Sequence, residues 1–242
     1  CERKLQCEGS ASASVADRYG TIDPDPTFSF GADARGMAYF PLAEGDYAAV
    51  FPMQADVYGM ARLHQNAQVY IDAGLSSSRA SFALEDEARA TKPSALDYVK
   101  VEELFVKLDR LPYNLYVRAG RLAPTYGWRI PDHTSFVRRD LGFGETRSWF
   151  GVEAGINPNY PYANVAVFYQ GVEGWPGDTN PPGVGVSASA GVRELGWQVG
   201  GSVHYLSILA GGRDLAVGPQ WAVNLAPVVY LGELDFRTQL DG

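Results

Sequence analysis

Apolar and polar residues alternate with period two along most of this chain. In residues 186–193, Val186, Ala188, Ala190 and Val192 fall on one side, and Ser187, Ser189, Gly191 and Arg193 on the other. Residues 197–206 continue the pattern, with Trp197, Val199, Val203 and Tyr205 opposed by Gln198, Gly200, Ser202 and His204. In 215–225, Leu215, Val217, Trp221 and Val223 oppose Gly218, Gln220 and Asn224, and in 228–239, Tyr230, Leu234 and Phe236 oppose Glu233, Asp235 and Arg237. Earlier segments centred on Val57, Ile71, Val106, Val117, Val152 and Val167 do the same, which makes ten in all. Strict alternation predicts β-strands with one apolar face. Most are close to the ~9–11 residues that a tilted membrane-crossing strand needs. Residues 195–212 and 215–232 are uncharged apart from Arg213 and Asp214 between them, and long enough to raise the question of a membrane helix. Five glycines and His204 in the first, and Pro219, Asn224 and Pro227 in the second, exclude it.

The connections discriminate better than the strands. Links at 64–66, 110–114, 157–162, 194–196 and 226–227 are short, and those at 76–100, 123–148, 171–184 and 207–214 are longer. Short and long links alternate, so all short ones lie at one end of the sheet. Outer-membrane barrels are built this way, whereas a sandwich has no reason to be. The expected fold is therefore all-β, a transmembrane antiparallel up-and-down β-barrel. Residues 1–32, Ser/Ala-rich and then Asp23-Pro24-Asp25-Pro26, read as an N-terminal arm, and residues 33–242 as the barrel. A first strand is expected near 34–40, with 41–52 as its loop. The last strand would then run outward without a return, which predicts twelve or more strands with the C-terminal part missing from this chain.

Composition narrows the function. Formal charge is −8, with sixteen arginines and four lysines but no basic stripe, which excludes nucleic acid as a partner. The 27 glycines and the 12% aromatic content fit a turn-rich β protein. With three histidines, two cysteines and no C-x-x-C or C-x-x-C-H, the chain has no haem or zinc motif of its own, so neither cofactor nor metal is expected. Cys1 and Cys7 could form a local disulfide in an oxidising envelope compartment. Acylation of Cys1 as in a lipoprotein, or a chain that merely starts there, are the other readings.

The polar face holds Glu103, Lys107, Asp109, Arg118, Glu153, Arg193, His204, Glu233, Asp235 and Arg237, the expected lining of a mixed-charge lumen. On the apolar face, Trp197, Tyr169, Tyr205 and Tyr230 lie toward strand ends, as interfacial girdles do. The longest connection, 123–148, carries Trp128, Arg129, Arg138 and Arg139, expected to form a loop entrance or docking surface with Tyr126, Phe136 and Phe143 as anchors; the other reading is an ordered external flap that touches only neighbouring loops. Asp132-His133-Thr134-Ser135 collects triad residue types in this loop. Triads converge in space rather than along a loop, and no G-x-S-x-G is present, so the chain is expected not to be an enzyme.

The run Glu103-Leu104-Phe105-Val106-Lys107-Leu108 through Leu115-Tyr116-Val117-Arg118-Ala119-Gly120-Arg121, followed by Ala123-Pro124-Thr125-Tyr126-Gly127, resembles a hairpin of bacterial porin-like proteins. That resemblance spans about residues 100–170 and implies an outer-membrane barrel. The continuation Trp128-Arg129-Ile130-Pro131-Asp132-His133-Thr134-Ser135-Phe136 resembles barrels encoded near multihaem cytochromes. Together they imply a bacterial outer-membrane protein in contact with outer-membrane lipid, passing small polar solutes or ions. The alternative is a scaffold or sheath for another envelope protein such as a multihaem cytochrome. An outer-membrane hydrolase using His133 and Ser135 is a third class.

Overall fold

A computed structural model describes residues 27–39, 49–76, 99–123, 125–128, 143, 148–156, 160–173 and 180–240. The strands are β1 (Phe28–Tyr39), β2 (Ala49–His64), β3 (Ala67–Ser76), β4 (Val99–Leu111), β5 (Leu115–Leu122), β6 (Trp149–Ile156), β7 (Pro161–Gln170), β8 (Gly183–Arg193), β9 (Trp197–Ile208), β10 (Arg213–Leu225), β11 (Val228–Glu233) and β12 (Phe236–Leu240). Each pairs antiparallel with its sequence neighbour, in the up-and-down order that alternation and link lengths predict, except that β11 and β12 both pair with β10. These last two are one strand interrupted opposite Gly218 and Pro219. Proline has no N–H to give the ladder, so only Leu234 donates here, to the Pro219 carbonyl at 3.1 Å. The register then resumes unchanged, with Gln220 opposite Glu233 on one side of the gap and Val217 opposite Phe236 on the other. The sheet is not closed: among the described residues β1 pairs only with β2.

Three boundaries differ from expectation. β1 starts at Phe28, inside the segment read as an arm, and β2 starts at Ala49, inside the segment read as a loop. Pro52 concealed that start, because proline in a strand normally marks an edge or a bulge. A bulge is what occurs. Arg35 pairs with Gln54 and Gly36 with Pro52, which leaves Met53 as the extra residue. The β9–β10 link, expected to be longer, is a tight turn in which Gly211 and Gly212 take φ of 108° and 94°. The arm residues before 27, including Cys1 and Cys7, lie outside the described residues.

The two faces are inverted relative to a soluble protein. Outward residues such as Val57 (63% exposed) and Val152 (52%) are apolar and uncovered, whereas inward Glu153 and Ser187 are fully buried. Ladder hydrogen bonds satisfy the backbone between neighbouring strands, and the apolar outer band needs a lipid surround. Trp197 and Tyr230 stand on the outer face at the end with the short links, and Tyr169 and Tyr205 toward the opposite end, as girdle residues would. Arginine at an outward mid-strand position, as in Val203→Arg, should destabilise the vesicle-refolded protein by roughly 2–4 kcal/mol. Gln68→Arg on the inner face should cost far less, because an arginine there keeps a donor for Asp109. Urea titration of both variants checks the assignment of faces; equal losses would contradict it.

Candidate functional site

The inner face is organised around one carboxylate. Glu153 of β6 is fully buried and faces Arg118 of β5 directly across the ladder. The guanidinium grips it bidentately, Nε to Oε1 at 3.0 Å and Nη2 to Oε2 at 2.8 Å. The Tyr116 hydroxyl donates to Oε1 at 2.8 Å and the Thr125 hydroxyl to Oε2. Four donor contacts onto one acid supply what a buried charge requires in order to be tolerated. Glu103 adds a second carboxylate 3.6 Å from Arg118 and accepts the Ala123 backbone N–H at 2.9 Å.

Thr125 does not belong to a strand. It opens a short segment, 125–128, of the long β5–β6 connection, which folds back over the inner face. Ser187 of β8 donates to the Thr125 carbonyl at 2.7 Å, and the Gly127 N–H donates to the Ser202 hydroxyl of β9 at 3.0 Å. Tyr126 donates to Asp235 at 2.8 Å, and the Trp128 indole donates to the Gly232 carbonyl at 3.0 Å. The segment thus spans from β6, across β8 and β9, to the β11–β12 strand. Burial, then the hydrogen bond to Asp235, pushes the Tyr126 phenol above its ordinary range, so it stays a donor.

Rings lock the segment down. Tyr126 stacks on Phe143 at 4.0 Å, and Phe143 meets the His204 ring edge-on at 5.0 Å. His204 lies parallel to Trp149 at 5.5 Å and to Phe168 at 5.3 Å, and those two stack at 3.7 Å. Leu122 and Leu206 complete this buried cluster. Tyr126 and Phe143 both come from the long connection, so these two of its expected anchors enter the inner face.

The strand residues expected to line the lumen stand on this face, Arg118, Glu153, Glu103 and Asp235 with the contacts given above. Lys107 and Asp109 pair at 3.6 Å, and Gln68 donates to Asp109 at 2.8 Å. Arg237 grips Asp214 through Nε at 2.9 Å. Arg193 lies 5.8 Å over the Tyr162 ring, while Glu233 accepts from the Trp128 backbone at 3.5 Å. His204 is packed among rings rather than set beside water. Of the loop residues, Trp128 is placed as described; Arg129, Arg138, Arg139, Phe136, His133 and Ser135 lie outside the described residues.

Several inner residues escaped the sequence reading. A bulge at Glu102 sets Asp72 opposite Glu103 and Ala73 opposite Val101. This turns Lys100 and Glu102 inward as a buried pair at 2.6 Å, beside Glu103. Simple parity cannot accommodate both Glu102 and Glu103 inside. Asp214 was hidden by its assignment to a loop. Tyr162, which accepts from Gln198 at 3.2 Å and from Gln220 at 2.8 Å, carries no motif.

No family model and no curated protein matches the chain. Among solved structures it is similar to the loop L8 deletion mutant of OmpT, an outer membrane protein of Vibrio cholerae. That match has 7% identity and a TM-score of 0.42, covering 88% of this chain and 81% of that one. For in-vitro folded OmpT of the same organism the figures are 9% and 0.43, with 91% and 78% covered. Up-and-down antiparallel order, a buried polar face and an apolar outer face decide the assignment. The fold is the antiparallel up-and-down sheet of an outer-membrane β-barrel. The expectation that the chain is not an enzyme does not hold, because this fold is equally compatible with catalysis. The matches are to outer-membrane proteins through fold alone, and a fold does not separate passage from catalysis.

Removing one member of the buried Arg118–Glu153 pair should cost the barrel about 3–5 kcal/mol, because the other charge is stranded. Removing both should cost clearly less than the sum of the two single changes. A double-mutant cycle with Arg118→Ala and Glu153→Ala, read by urea titration in vesicles, measures this; additive losses would show that the pair does not act as a unit.

Proposed function

We propose that this barrel passes small polar solutes or ions across the outer membrane, and that the 125–128 segment narrows the route. The observation that carries the reading is the inward fold of this segment, held by donors to Glu153 and Asp235 over a face of mixed charge. Mixed signs suit polar solutes of either charge better than a strongly ion-selective filter. Outer-membrane lipid covers the apolar band, and the arginines of the long connection are proposed to stand at the entrance.

Reconstitution of the full chain into planar bilayers tests this. Stepwise, ohmic conductance with weak ion preference is expected. A folded, heat-modifiable protein that yields no current, yet retains a second envelope protein such as a multihaem cytochrome on purification, would instead favour the scaffold role. Within the passage reading, Tyr126→Phe removes a hydrogen bond to a carboxylate of the kind that contributes ~1.5–3 kcal/mol. It should loosen the segment, with a larger or noisier single-channel conductance; traces identical to those of the parent would remove the segment from the route.

A further inference from the structure

One titratable ring sits where the long connection meets the sheet. His204 of β9 is buried at 4% exposure. Trp149 of β6 and Phe168 of β7 lie parallel to it at 5.5 and 5.3 Å, and Phe143 of the long connection meets it edge-on at 5.0 Å. Its Nδ1 is buried with no hydrogen-bond partner. On the neighbouring strands it faces Ser187 of β8 and Ala216 of β10, neither of which titrates in this range. The charged groups that act on it are Asp214 of β10 and Arg237 of β12, which are bonded to each other. On the side of the long connection, the Tyr126 phenol stacks on Phe143 at 4.0 Å. His204 is therefore the point on the sheet against which the packing of the 125–128 segment rests.

A neutral imidazole can pack among rings with one nitrogen bare. An imidazolium carries an N–H on both nitrogens as well as a charge. In this seat the Nδ1–H would have no acceptor, and Asp214 is already matched by Arg237. Stacking on Trp149 and Phe168 offsets part of that cost, but a charged ring with a bare donor is more stable in water than here. We propose that His204 is an acid-sensitive latch: neutral, it seats Phe143 and through it the 125–128 segment; protonated, it leaves the ring cluster and the segment loosens. This rests on the passage reading and adds regulation to it, since the route that the segment narrows widens in acid. A free imidazole takes up its proton below about pH 6.5 and must give it up to dock. The latch therefore holds above that pH and weakens as pH falls through it, by at most about tenfold per pH unit for one proton.

Ser202→Cys places a thiol under the Gly127 N–H, where the segment covers it. Dithiodipyridine, which reacts with thiols in acid as well as at neutral pH, reads its exposure without any current. Rates are taken relative to the same variant unfolded in urea, with the parent chain, whose only thiols are Cys1 and Cys7, as background. The folded rate should rise several-fold between about pH 7.5 and about pH 5, the span in which imidazoles charge. His204→Phe, which keeps a ring but takes no proton, should abolish the rise, and His204→Ala should give fast labelling at both pH values. His64→Gln and His133→Gln, at the other two histidines, should leave the rise intact. A rise that survives His204→Phe, or no rise in Ser202→Cys alone, would overturn the latch. Single-channel conductance of the parent should grow over the same range. Absence of current at every pH would overturn the passage reading itself, while the labelling still decides the latch.

Discussion

Space on the inside of a curled sheet is the constraint on which the rest of this structure depends. Side chains on that face converge, and a ring finds room to lie flat where the opposing strand offers no Cβ. Direct cross-strand partners meet that need: Gly31 opposes Tyr58, Gly155 opposes Tyr116, Gly185 opposes Phe168 and Gly191 opposes Tyr162. A methyl group at Gly31 would stand 2.5 Å from the Tyr58 ring, and one at Gly155 would stand 2.7 Å from Tyr116. Cross-strand pairing of glycine with an aromatic ring is a known way to pin register. Here it also sets where each phenol can reach, and hence which polar groups meet. Tyr116 lies across Gly155 and arrives at Glu153; Tyr162 lies across Gly191 and arrives at Gln198 and Gln220.

The same crowding explains why charged groups are buried here at tolerable cost. A polar face curled on itself brings acids and bases from adjacent strands within bonding distance, and each charge then exchanges water for a fixed partner. Arg118–Glu153 and Arg237–Asp214 follow this rule, and Lys100–Glu102 is the equivalent pair within β4. Gly120 extends it to the backbone. With φ of 140°, it sits so close to the Leu104 carbonyl and Phe105 that any side chain would collide. The Ala119-Gly120-Arg121 run therefore has a steric reason, and Arg121, just past it, is buried with its Nε donating to the Val101 carbonyl at 2.9 Å.

Period-two alternation was enough to orient the residues of nearly every strand, because in lipid the outer face must be apolar and the parity rule has few exceptions. Its failures have physical causes. The bulges at Met53 and Glu102 change the count by one residue, and no residue type announces them; Pro52 was the nearest signal and was read as a loop. The split between β11 and β12 was legible in principle, since Pro219 removes a donor from the adjoining ladder. The candidate site was less legible. Tyr126 and Phe143 could be expected to anchor, because aromatics in a long connection need burial, but their seats beside Asp235 and His204 depend on tertiary geometry. Half of the glycine signal was also misread: composition points to turns, whereas many glycines here make room for rings.

The 125–128 segment also matters mechanically. Ladder hydrogen bonds tie each strand only to its neighbours, so they fix local twist but not the distance between β6 and the β11–β12 strand. Thr125 is held by Glu153 at one end and Trp128 by the Gly232 carbonyl at the other, with Ser187, Ser202 and Asp235 holding the residues between. Such a strut ties strands that share no ladder, and so fixes the curvature of that half of the sheet. In the proposed passage role, narrowing the route and holding the wall in shape are one set of contacts.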